Sequence, residues 1–166
     1  MGRGASLLLN LPPDRRGQIH PIDEAALMGF RALREAMFAH DFVRKGELAE
    51  IIASSHWPGR PAQAVADDRP NSFWCAGENE GWLKLRFKSP VRVNTLRLRE
   101  AITLGQRIEA VSVRADGGAV LAEFSSVGSC RIAQFPAVTT QDITLHIRGS
   151  APPCVAEVGL FFDPEM

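Results

Sequence analysis

The side chains able to do chemistry in this sequence are dispersed. Four histidines, His20, His40, His56 and His146, show no HExxH-type spacing that would set two imidazoles on one helix face around a metal. Three cysteines, Cys75, Cys130 and Cys154, form no CxxC pair, so the expectation is buried thiols and neither a zinc knuckle nor a disulfide scaffold. The acids of the first forty residues, Asp14, Asp23, Glu24 and Glu35, fall in a turn and on a helix. Tryptophan carries the clearest binding chemistry, because the apolar face of a pyranose ring can lie on an indole. His56-Trp57-Pro58-Gly59-Arg60 reads as a loop in which such stacking is feasible, making Trp57, His56 and Arg60 the candidate ligand residues. Trp74 and Trp82 fall in strand-like positions and read as core.

The elements that must position these residues change character along the chain. Ser6 to Leu11 is an apolar run suited to a strand covered on both faces, stopped by Pro12-Pro13. After a turn over Asp14 to Gly17, Pro21 is placed to start a helix. Asp23 and Glu24 lie in its first turn, and Leu27, Phe30, Leu33 and Met37 give an amphipathic helix over 22–38. A second short helix is expected over 41–50. From Ala53 the period becomes two: Trp82 to Phe87 and Thr95 to Glu100 alternate, and five further short strands are expected at 108–113, 119–124, 129–135, 142–147 and 155–162. His146, alternating with Leu145 and Ile147, should face solvent. The organisation read from this is a strand–loop–helix unit at 1–40, a connector at 41–52 and an all-β domain at 53–166.

At 166 residues, one main core is the default. With 19 Lys+Arg against 19 Asp+Glu there is no basic field to gather phosphates, which argues against nucleic acid and anionic membrane surfaces as partners. The longest apolar runs fall far short of the roughly 20 residues of a membrane span, and no secretory signal is visible.

Two segments carry a family resemblance. Gly4-Ala5-Ser6-Leu7-Leu8-Leu9-Asn10-Leu11-Pro12-Pro13-Asp14 with Gly17-Gln18-Ile19 resembles the last strand and loop of the catalytic barrel of glycoside hydrolase family 29 α-L-fucosidases, and LREAITLGQRI, residues 98–108, resembles a signature in their C-terminal β-sandwich. Ala5-Ser6 and Leu11-Pro12 depart from the family's usual Gly-Asn and Val-Gly pairs. The β-domain opening, Asp67-Asp68-Arg69-Pro70-Asn71-Ser72-Phe73-Trp74, is similar to the discoidin, or galactose-binding-like, sandwich.

The resemblance implies a mainly β fold: an antiparallel, jelly-roll, galactose-binding-like β-sandwich preceded by one βα unit left from a (β/α)8 barrel. It also implies a C-terminal accessory region of an α-L-fucosidase. Such enzymes work with two carboxyl groups about 5 Å apart, and in the family both lie upstream of the final barrel strand, so residues 1–166 are expected not to hydrolyse fucosides alone. A stand-alone carbohydrate-binding module and a non-binding structural domain are the alternatives. Asn10 would lie near the barrel's active-site face, while Glu100, Gln106 and Arg107 would brace the sandwich against the barrel. No cofactor is required. The resemblance does allow a structural calcium ion, for which Asp67, Ser72 and Glu157 are the candidate ligands, although Arg69 beside the ion would be unfavourable. The partners implied are fucosylated or galactose-containing glycans and the remaining barrel. The parent enzyme would be secreted, periplasmic or lysosome-like.

Overall fold

The computed structural model describes residues 8–44 and 46–164. Seven antiparallel strands form one hydrogen-bonded sheet: β1 (Leu48–Ala53), β2 (Trp74–Cys75), β3 (Glu80–Glu100), β4 (Ile108–Ala115), β5 (Val120–Phe124), β6 (Arg131–Gly149) and β7 (Cys154–Phe161). Their order is β2-β7-β3-β6-β4-β5, with β1 also pairing β3. The fold is therefore mainly β and antiparallel, as expected.

Two pairs of strands expected to be separate are single long strands, β3 and β6. The first half of β3 pairs with β1 and the second half of β6, and its second half pairs with β7 and the first half of β6. The β3–β6 ladder loses register between Arg86 and Val91 and again between Val93 and Thr95. Pro90 and Pro136, which cannot donate to a ladder, sit in these central parts of the two strands. Strands that cross between pairing neighbourhoods in this way fold the sheet over itself into two layers. Between them, alternate residues interdigitate: Leu83, Leu85 and Phe87 from one half of β3 and Leu96 and Leu98 from the other, with Val111, Val113, Ile143, Leu145, Val158 and Leu160, all essentially inaccessible.

The helix expected over 22–38 is α1 (Pro21–Met37). His20 caps it through its imidazole, which accepts from the Ile22 N–H at 3.3 Å, and Arg31 pairs with Glu35 one turn on at 2.8 Å. No residue of α1 is buried. The second helix is not formed. Residues 42–44 are a turn, and Leu48 to Ala53 lie in β1 against Phe87 to Leu83, so the sheet begins inside the segment expected to be a connector. Of the expected first strand, Ser6 and Leu7 lie outside the described residues. Leu8 to Leu11 belong to no strand, and Leu8 is 96% exposed. Asp14 closes the following turn, accepting from the N–H groups of Arg16 and Gln18.

The cysteine expectation is corrected. Cys75 and Cys154 are bonded as a disulfide, because the β2–β7 register sets them directly opposite each other, and only Cys130 is free. Backbone packing is equally close at Gly149, where an added Cβ would lie 2.0 Å from the Arg107 carbonyl oxygen. Neither that carbonyl nor β6 can retreat. Gly149→Ala is therefore expected to cost about 3 kcal/mol, read as a lowered urea midpoint at unchanged m-value.

Candidate glycan-binding and interdomain surfaces

The alternation of β3 and β7 that points Leu96, Leu98, Val158 and Leu160 inward points Arg97, Arg99, Glu157, Gly159 and Phe161 outward. The segment after α1 covers this outer face. Phe38 meets Phe161 edge-on with ring centroids 4.9 Å apart, and Arg97 lies over the Phe161 ring at 4.8 Å. Asp41 accepts from the N–H groups of Val43 (3.0 Å) and Leu160 (3.3 Å) through one oxygen and from Arg97 (3.3 Å) through the other. Burial raises the Asp41 pKa, and the two N–H groups with Arg97 and Arg44 oppose that rise without cancelling it. Gly159 makes the approach possible, since a Cβ there would lie 2.9 Å from the Asp41 carboxylate. The junction between α1 and the sandwich is thus a built joint.

The same network surrounds the residues considered for calcium. Glu157 is held by Arg97 at 2.6 Å, Arg44 at 3.2 Å and Arg99 at 3.7 Å. Arg44 also pairs with Asp68 at 2.8 Å, and Asp67 accepts the Arg69 N–H at 3.0 Å in a local turn. Ser72 forms a backbone turn, its N–H donating to the Arg69 carbonyl. Guanidinium groups occupy the place a cation would need, and among the described residues no three acidic, histidine or cysteine side chains are grouped so that they could hold a metal ion. The donor set does not fit calcium.

Glu100 and Arg107 make their contacts within the sandwich. Glu100 is buried, and its carboxylate accepts from three backbone N–H groups: those of Arg107 and Ile108 (2.9 Å) on one oxygen and that of Gly128 (3.1 Å) on the other. Arg107 donates to the carbonyls of Leu104 (3.3 Å) and Pro152 (3.4 Å). Both residues brace loops within the sandwich. Gln106 and Asn10 are exposed, with no hydrogen bond to another described residue.

The ligand candidates His56, Trp57 and Arg60 lie in one loop. Trp57 is 52% exposed and is fixed through its backbone, its N–H donating to the Cys75 carbonyl and its carbonyl accepting from Arg60. His56 turns its Nδ1 to the Trp57 carbonyl at 3.0 Å, and the Arg60 guanidinium lies 3.8 Å over the Phe73 ring. The indole is therefore the free element of the three. Trp74 is core, its Nε1–H donating to the Ser55 carbonyl at 2.9 Å. Trp82, read from the sequence as core, is instead half-buried on the outer face of the other layer. It lines an open groove with Ser112, Glu123 and the solvent-facing His146.

A small antiparallel sandwich of this kind is also the fold of some carbohydrate-binding modules. Its fold is like that of the CBM32 domains of Clostridium perfringens ZmpB solved with GalNAc (TM-score 0.63, 12% identity, 70% of this chain and 33% of that one). More specifically, the chain is similar to the α-L-fucosidases of glycoside hydrolase family 29 along almost all of its length, as its two motifs suggested. It is 28% identical to α-L-fucosidase 1 of Arabidopsis thaliana over 98% of its residues and 34% of that protein. A relative from Oryza sativa subsp. japonica with the same α-L-fucosidase 1 designation gives 28% over 98% and 33%. Among solved structures, SpGH29 superposes with a TM-score of 0.88 at 27% identity, covering 98% of this chain and 37% of that one. A Ruminococcus gnavus GH29 fucosidase in complex with fucose does so with 0.87 at 22%, covering 99% and 35%. No family model matches. The chain spans about a third of the length of the curated relatives it matches, as a C-terminal part would.

Proposed function

We propose that this chain is the C-terminal accessory region of an α-L-fucosidase, in which residues 1–40 supply the last strand–loop–helix unit of the catalytic barrel and residues after them form the appended sandwich. The observation that carries this reading is the unpartnered apolar surface of its first part. Leu8 in the preceding segment and Ile22, Met28, Phe30 and Leu33 on a helix with no buried residue are between 45% and 96% exposed, whereas the sandwich holds a continuous buried core. At roughly 25 cal/mol per Å² of apolar surface, such a face gains stability only against further protein. The joint at Phe38 and Asp41 holds the unit at a defined place on the sandwich.

On this reading, residues 1–166 position a barrel and supply neither of its two catalytic carboxylates. The purified 166-residue chain is expected to release no 4-nitrophenol from 4-nitrophenyl α-L-fucoside above buffer, and turnover proportional to protein would overturn that. Joined behind a family 29 barrel, the chain should support fucoside hydrolysis, and Phe30→Asp with Leu33→Asp should abolish it.

The exposure of Trp57 favours a second role, binding of fucose- or galactose-containing glycans by the sandwich. Trp57→Ala is expected to weaken such binding at least about tenfold, the loss of one stacking platform, with an unchanged melting curve. Calorimetric titration of the two proteins with the same glycan reads the difference.

A further inference from the structure

The outer face of the layer built from β3, β6, β4 and β5 carries a site of its own. Register places Trp82 beside His146, His146 beside Ser112 and Ser112 beside Glu123, one row across four strands. Strands about 4.8 Å apart make that row roughly 14 Å long, room for two or three sugar rings side by side. The row floors an open groove of about 910 Å³.

Polar groups in this groove are unspent. Glu78, Glu80, Glu109, Glu123 and Arg148 line it, and none makes an ion pair or side-chain hydrogen bond with another described residue. Two other surface acids are engaged, Asp142 by Lys84 and Arg86 and Glu157 by three arginines, whereas Asp23 and Glu24 at the start of α1 have no side-chain partner among the described residues. At the floor, the Ser112 hydroxyl is buried with no partner among the described residues.

We propose that the Trp82–His146–Ser112–Glu123 groove binds an oligosaccharide of cationic amino sugars lying across the strands. The indole offers a face to the apolar side of a pyranose, as in aromatic recognition generally. Four carboxylates against one guanidinium set a negative field that attracts ammonium groups and repels uronates and sulfated sugars. Carboxylates only accept, and an ammonium offers them charge-assisted donors that a neutral hydroxyl does not. The site is separate from the Trp57 surface, since Trp57 does not line the groove, and it does not depend on the fucosidase reading.

Isothermal titration of the whole chain with glucosamine hexamer tests the proposal. N-acetylglucosamine hexamer and an oligogalacturonate serve as the neutral and acidic arms. Binding by the glucosamine hexamer is expected to be at least about tenfold tighter than by the acetylated one, weakened by salt, and undetectable for the uronate. Glu80→Gln with Glu123→Gln should remove the preference while the melting curve is unchanged. Trp82→Phe should weaken both hexamers and Trp57→Ala neither. Equal binding of the two hexamers, loss through Trp57→Ala, or no heat with glucosamine hexamer at millimolar concentration overturns the proposal. So does coverage of the groove by a second copy, seen as a dimer in sedimentation that Glu123→Lys dissociates.

Discussion

Glu100→Ala is expected to lower the unfolding free energy by about 3–5 kcal/mol, because three backbone N–H groups lose a charged acceptor at once. Those donors are Arg107 in the loop 101–107, Ile108 at the start of β4 and Gly128 in the loop 125–128, which Glu100 ties to the end of β3. With the carboxylate gone, the N–H groups of Ile108 and Gly128 stay buried, and water must enter or the loops must part. Glu100→Gln is the informative companion. One amide oxygen can still serve Arg107 and Ile108, but the amide nitrogen then faces the Gly128 N–H, donor against donor. Its cost should fall between wild type and Ala. Urea melts followed by circular dichroism give the energies, and hydrogen exchange should show Ile108 and Gly128 losing protection first. A loss below about 1 kcal/mol for Glu100→Ala would mean the loops stand without it.

Reduction of the Cys75–Cys154 bond should have an effect of similar size. The bond closes a loop with a sequence separation of 79, for which chain entropy gives about 4.5 kcal/mol of stabilisation. Thermal unfolding with and without a phosphine reductant measures this, and Cys75→Ser with Cys154→Ser should reproduce the reduced curve. Two alkylatable thiols beyond Cys130 in the untreated protein would overturn the expectation.

Much of the architecture was legible because it follows from periodicity. The 3.6-residue spacing of Leu27, Phe30, Leu33 and Met37 gave α1 to within a residue at each end, and the alternation of Trp82 to Phe87 and of Thr95 to Glu100 gave both halves of β3. Alternation fixes which residues share a face but not which face is covered. Trp82 and Arg97 both lie on outward rows, yet one floors an open groove and the other is roofed by Phe38 and Asp41. Residues 48–50 of β1 fall within the segment expected as a second helix, and the pairing with β3 that overrides it is distant in sequence. Motif resemblance located residues 98–108, but it could not tell that Glu100 turns inward.

The sequence alone determined the helix, most of the strands and their inner faces, the neutral charge balance and the likeness to the C-terminal part of family 29 fucosidases, because each is written in local spacing or composition. Only the tertiary structure decided which side chains meet. It paired Cys75 with Cys154, placed three arginines on Glu157 where calcium was expected, and aligned Trp82, His146, Ser112 and Glu123 across four strands. Those meetings depend on strand order and register across separations of tens of residues, and local preference carries no record of them.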